Sequence, residues 1–280
     1  MSDGKTLIQT DLVAVLKRLH SGVREALAGL STRHTQELHD TNSKGDRQQA
    51  FDLTADAVVR QILEKELDSG IILSEESMEH RFGIAKPSYR FIVDPVDGSD
   101  NWSRRLPLSS VSIAVLPAEA PIALDQVIAA LTGDLREEDP LVCIRGSGVH
   151  CGGDPIRTAG TRRIEDAFIS CELNHFAPTS RLVALFANAR AVRSYGCASR
   201  AIALVVNGSL DAHIDVRGRL TPESFLAAAT ILQEVGGCVL DAQGKQLPVF
   251  TDLCQRTTIV AAATEELARE IIETLTSYNI

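Results

Sequence analysis

No stretch of this chain is apolar and long enough to cross a bilayer, and no apolar signal segment opens it. Both absences point away from a membrane partner. Positive charge is also short: 28 Lys and Arg stand against 37 Asp and Glu, for a net charge of -9. No global positive field gathers phosphates, so nucleic acid and anionic membranes are excluded as expected partners. The six cysteines (143, 151, 171, 197, 238 and 254) contain no C-x-x-C pair. In a chain of this length they are expected as reduced, partly buried thiols, which places the protein in the cytoplasm. No internal repeat or low-complexity segment appears. The glycine-rich run Gly146 to Gly153 lacks the strand-to-helix setting of a phosphate loop and is expected to form a hairpin.

What is present suits a large core: 280 residues, 44% of them hydrophobic. Apolar residues at helical spacing predict helices over residues 7–30 and 51–67. Between them residues 34–49 are polar and read as a loop holding Lys44. Short apolar strands are expected at 70–77, 109–116, 126–131 and 141–144. From residue 167 helices (180–188, 198–207, 222–235, 265–277) alternate with strands (167–171, 212–216, 238–241, 258–262). Pro222 fits a helix start and Gly236-Gly237 its end. The order predicts layered α+β packing, with an N-terminal α+β subdomain over 5–164 and a C-terminal α/β subdomain over 165–280.

One stretch organises the rest: Tyr89-Arg-Phe-Ile-Val-Asp-Pro-Val-Asp-Gly-Ser-Asp-Asn-Trp102. Phe91, Ile92 and Val93 read as a buried strand. Pro95 is expected to stop it, having no N–H to donate. Asp97-Gly98 then makes a turn. Two carboxylates so close raise each other's pKa unless a cation sits between them, and Mg²⁺ takes oxygen ligands of this kind. Glu75 and Glu76 follow another apolar strand. If that strand continues through them, only one can face the Asp94/Asp97 turn.

The run Asp94-Pro-Val-Asp97-Gly98-Ser99-Asp-Asn101-Trp102 resembles the D-P-[ILV]-D-G-T/S-x-N-F pattern of the inositol monophosphatase-like family. Ser74-Glu75-Glu76-Ser77 is similar to its G-E-E-S. Leu53-Thr54-Ala55-Asp56 resembles its T-x-x-D with one residue fewer. Residues 210–219 resemble the branch with archaeal-type fructose-1,6-bisphosphatases. The resemblance covers roughly residues 12–260. It implies a sugar-phosphatase fold, a layered αβαβα sandwich, and a Mg²⁺-dependent phosphomonoesterase acting as a homodimer on a small phosphorylated substrate.

Roles carried over with that resemblance are specific. Glu75, Asp94, the Val96 carbonyl and Asp97 would bind Mg²⁺ at two or three sites. Asp56 and Ser99 would orient and activate water, with Glu75 beside them. The Gly98 and Ser99 N–H groups would hold the phosphate. Gly196, Cys197, Asp215 and Arg217 would line the substrate, with an Arg at 217 or 219 clamping a second phosphate. One departure stands out: the family's second-metal Asp falls on Ser224, and Glu223, in the place of the family's Trp, could supply the carboxylate only if the helix start shifts or rotates by about 100°. The carboxylates of Glu75, Asp94 and Asp97 are expected within reach of one ion. Inositol phosphate or a related sugar phosphate is the expected substrate. Fructose 1,6-bisphosphate is the alternative, and a non-catalytic binding protein is the reading from another class.

Overall fold

The structure, a computed structural model, describes residues 9–30, 37–41, 47–152, 155–175 and 180–277. Lys44 lies outside them. Helix α1 (Gln9–Ala28) buries Leu12, Leu16, Leu19, Val23 and Leu27, and helix α2 (Ala50–Glu66) buries Phe51, Ala55, Val59 and Leu63. Each set recurs every three to four residues, so each helix presents one apolar stripe. Between the helices runs a two-stranded ribbon of β1 (Glu37–Thr41) and β2 (Arg47–Gln49), where the sequence suggested a loop.

The helices cover one face of a seven-stranded sheet. Its strands are β3 (Ser69–Ser74), β4 (Met78–Gly83), β5 (Tyr89–Asp97), β6 (Ser110–Pro117), β7 (Ala129–Asp134), β8 (Leu141–Ile144) and β9 (Val149–His150), in the order β4-β3-β5-β6-β7-β8-β9. Strand β3 ends at Ser74, and residues 75–77 turn into β4, which the sequence did not reveal. The expected alternation of Glu75 and Glu76 along a strand therefore does not apply. Strand β5 runs through Pro95 to Asp97 instead of stopping. Asp94 pairs with Ser112 and Asp97 with Ser110, so the proline sits in a bulge where no ladder N–H is required. The glycine-rich run closes the β8–β9 hairpin.

Burial on β5 alternates between two cores. Phe91 and Val93 face α1 and α2; Ile92 faces the other side. That other side is filled by α5 (Ala198–Val206) and α6 (Leu226–Glu234). Beyond them lies a five-stranded sheet of β10 (Phe168–Cys171), β11 (Ala191–Arg193), β12 (Ala212–Leu220), β13 (Cys238–Leu240) and β14 (Thr257–Ala262), in the order β11-β10-β12-β14-β13. Helices α4 (Ser180–Asn188) and α7 (Glu265–Ser277) cap its far face through Ile169, Ile214, Val260, Leu267 and Ile271. The layers are thus helix, sheet, helix, sheet, helix. The expected helix over 222–235 is broken: Pro222–Ser224 form a 3₁₀ turn, Phe225 leaves helical geometry at φ -137°, and α6 begins at Leu226. No helix among the described residues is long and apolar enough to cross a membrane.

Candidate active site

A cleft of about 270 Å³ opens where the end of β5 meets the loop before α5 and the end of β12. Glu75, Asp97, Gly98 and Ser99 line one wall; Gly196, Cys197, Arg217 and Ser224 line the other. Gly98 adopts φ +83°, which favours glycine, and a Cβ there would come within 2.8 Å of the Leu108 carbonyl. The turn delivers the chain into a single helical turn, α3 (Ser99–Ser103).

The Ser99 hydroxyl lies 3.0 Å from Asp52 Oδ1 and 2.9 Å from the Val96 carbonyl. Asp52 stands in the first turn of α2, and its other oxygen accepts the Gln49 N–H at 3.3 Å. Burial, then the charges of Glu76 and Glu75, raise the Asp52 carboxyl to about 8 against the hydrogen bonds from Ser99 and Gln49. Asp97 is also buried, which raises its carboxyl to about 6. The opposing influence is hydrogen bonding: Asp97 Oδ2 accepts the Ser199 N–H at 2.7 Å, the Ser199 hydroxyl at 2.5 Å and the Cys197 thiol at 3.2 Å. Asp94 accepts the Val96 N–H at 3.2 Å and the Ser224 hydroxyl at 3.2 Å.

The family model of the inositol monophosphatase family matches residues 8–279. The chain belongs to that family. Among relatives, the fructose-1,6-bisphosphatase/inositol-1-monophosphatase of Thermococcus kodakarensis is 27% identical over 245 residues, covering 87% of this chain and 89% of that protein. Inositol monophosphatase 2 of Homo sapiens is 25% identical over 235 residues, covering 81% and 77%. The fold matches the crystal structure of the extragenic suppressor protein suhB from Bartonella henselae, with a TM-score of 0.78 at 22% identity, over 97% of this chain and 98% of that one.

Several of the expected site residues have partners other than those expected. Asp56 does not meet Ser99. Its carboxylate takes the Arg60 guanidinium at 2.9 Å and the Ser77 hydroxyl at 3.3 Å. Asp52 and Asp56 are one helical turn apart and both buried, so spacing alone could not choose between them. The one signal in the sequence was the one-residue mismatch in the Thr54–Asp56 motif. Asp215 is fully buried and outside the cleft lining. It holds Arg217 through Nε at 3.0 Å and Nη2 at 2.7 Å, while Nη1 donates to the Asn174 carbonyl at 3.0 Å. Asp215 thus anchors the guanidinium from outside the cleft, and Arg217 lines the cleft with its charge largely matched. Arg219 is exposed in the same cleft.

The metal expectations change too. Among the described residues no three His, Cys, Asp or Glu side chains are grouped to hold one ion, so the triple convergence of Glu75, Asp94 and Asp97 is absent. Their hydrogen bonds give the reason: Asp97 Oδ2 is turned onto Ser199 and Cys197, and Asp94 onto Val96 and Ser224. The donors still fit Mg²⁺ in kind. They are hard oxygens, and burial raises the carboxyls of Asp52 and Asp97, a cost to the charged form that a bound cation would offset. Of the two doubtful ligands, Ser224 faces Asp94. Glu223 is buried, with its carboxylate on the Thr221 hydroxyl and its carbonyl accepting Ser112 at 2.8 Å.

Proposed function

We propose that the chain is a Mg²⁺-dependent phosphomonoesterase that hydrolyses inositol phosphate or a related sugar phosphate. The observation that carries this reading is the hydroxyl–carboxylate pair of Ser99 and Asp52 beside Glu75, Asp97 and the Gly98 turn in one cleft. Gly98 and Ser99 N–H groups hold the phosphate. Asp52, through the Ser99 hydroxyl, takes the proton of the attacking water; its raised carboxyl suits a group that must bind a proton near neutral pH. Glu75, Asp94, Asp97 and the Val96 carbonyl would hold Mg²⁺, which when bound neutralises charge on the transferring phosphoryl group and acidifies water. Gly196 and Cys197 line the alcohol side, and Arg219 faces a second anionic group, which supports the bisphosphate as an alternative substrate. Six free cysteines, with Cys143, Cys171 and Cys197 buried, support a reducing, cytoplasmic setting for a homodimer.

The test is phosphate release from inositol 1-phosphate and fructose 1,6-bisphosphate across a Mg²⁺ titration, with Asp52→Asn and Ser99→Ala as controls. Mg²⁺-dependent release that both variants lose supports the reading. A wild-type protein that binds these esters yet releases no phosphate at any Mg²⁺ concentration favours the binding-protein reading, for which the neutral Ser224 beside Asp94 is the specific observation.

A further inference from the structure

Asn101 sits two residues beyond Ser99, in α3, and only 9% of it is exposed. Its amide nitrogen donates to the Leu108 carbonyl at 2.8 Å and the Tyr195 carbonyl at 2.6 Å, with the Gly196 carbonyl at 3.4 Å. The main-chain carbonyl of Asn101 accepts the Leu106 N–H at 2.9 Å. One side chain thus spans two segments far apart in sequence. One is the lead into β6 behind Gly98; the other is the loop that delivers Gly196 and Cys197 into the cleft. Gly196 holds φ +65° against this amide, and a Cβ there would lie 3.6 Å from Asn101 Nδ2 and 3.1 Å from Asn174 Nδ2. This amide is one of the ties between the two cleft walls, beside the hydrogen bonds of Asp97 to Ser199 and Cys197, and its donors end on main-chain carbonyls.

We infer that Asn101 is a positioning residue for substrate selection. It sets the 195–197 loop against the phosphate turn, and so decides which alcohol portion fits once the phosphate is seated. This rests on the phosphomonoesterase reading above, because it assigns the phosphate to the Gly98 side and the alcohol to the Gly196 side. The amide can do this because its two donors are matched to two buried acceptors. A carboxylate of the same shape would set negative charge against three carbonyl oxygens and push the loop away.

The discriminating experiment compares two esters, and an inhibitor that fills only one wall, in wild type and Asn101→Asp. Inositol 1-phosphate presents a bulky alcohol to the loop. p-Nitrophenyl phosphate has no hydroxyls for that loop to arrange, and inorganic phosphate occupies the phosphate side alone. The expected result is a KM for inositol 1-phosphate raised roughly tenfold or more, the effect of losing a matched pair of buried hydrogen bonds. The inhibition constant of inorganic phosphate, the kcat on p-nitrophenyl phosphate and the Mg²⁺ activation profile stay near wild type. Asn101→Ala, which leaves the carbonyls unpaired without adding charge, shows the same split more weakly. Equal losses for both esters and for phosphate inhibition, in both variants, overturn the inference and make Asn101 a general fold contact. So does wild-type selectivity in a folded Asn101→Asp. A wild-type enzyme that cleaves neither ester refutes the phosphomonoesterase reading instead, and inorganic phosphate binding measured by calorimetry then still reports whether the phosphate side is separate from Asn101.

Discussion

The two walls of the cleft are built in different ways. The wall proposed for the phosphate is local: Asp97, Gly98 and Ser99 line it, Asp94 and Val96 stand just before them on the same strand end, and only Glu75 and, behind Ser99, Asp52 arrive from elsewhere. The side chains of Asp94, Asp97 and Ser99 have hydrogen-bond partners within 3.2 Å. The opposite wall is assembled from the 195–198 loop, the β12 bulge and the 3₁₀ turn at Pro222–Ser224, segments joined only by the fold. It carries a thiol at 197, a guanidinium at 217 locked on Asp215, and the hydroxyl at 224 that departs from the family pattern. The contrast is between groups delivered by one strand end and turn and a surface assembled from distant segments. Chemistry tolerates little displacement of reacting atoms, whereas a wall that only shapes the substrate can be rebuilt.

The sharpest way to break this comparison is to remove the local wall's base. Asp52→Asn is expected to lower kcat by roughly 10²–10⁴-fold, the usual worth of a positioned acid–base group. An unchanged kcat on any cleaved ester would detach Asp52 from the reaction. Next in size is Ser224→Asp, which adds a charged ligand to the opposite wall. Half-activation should then need roughly tenfold less Mg²⁺, equivalent to on the order of 1.4 kcal/mol. The metal-free variant should melt lower than wild type, because a carboxylate would replace a hydroxyl beside Asp94.

Asp56→Asn tests the neighbour that looked catalytic. Its loss should appear as about 1–3 kcal/mol of stability, measured by denaturant unfolding, since it strips a buried charge-assisted partner from Arg60 and Ser77. The kcat per folded molecule should hold. A pH series then separates the two acids again. The Asp52 carboxyl is raised in the folded protein, so its proton stabilises the fold below the unfolded pKa, and that stability is lost as pH rises toward about 8. Metal-free Asp52→Asn should therefore melt above wild type at pH 9 and close to it at pH 4; the reverse order would contradict the burial argument. Smallest is Arg219→Ala. An exposed ionic contact contributes about 0.2–1 kcal/mol, so KM for fructose 1,6-bisphosphate should rise by up to roughly fivefold while that for inositol 1-phosphate stays level.

Much of the fold could be read from the order of residues, because its signals are local. The stripes of α1 and α2, the apolar runs of β5 and β6, and the spans of α4, β8 and α7 follow from periodicity and chain punctuation. Strand β4 escaped because Met78–Gly83 is half exposed at a sheet edge and carries no apolar run. The β5 bulge escaped because a proline reads as a stop until the partner strand shows it needs no N–H there. The motif from Asp94 to Trp102 carried the phosphate wall by itself.

Tertiary structure alone decided which of two carboxylates meets Ser99. Asp52 and Asp56 share a helix face and both are buried, and only the seating of α2 against the end of β5 brings one of them to the hydroxyl. It also decided that Asp215 and Arg217 satisfy each other, that Ser224 rather than Glu223 turns to Asp94, and that Asn101 bridges the two walls. A sequence specifies where chain is apolar, where it turns and which chemical groups it carries. Which two groups lie within hydrogen-bond reach depends on angstrom-scale packing between segments distant along the chain, and no local pattern encodes that distance.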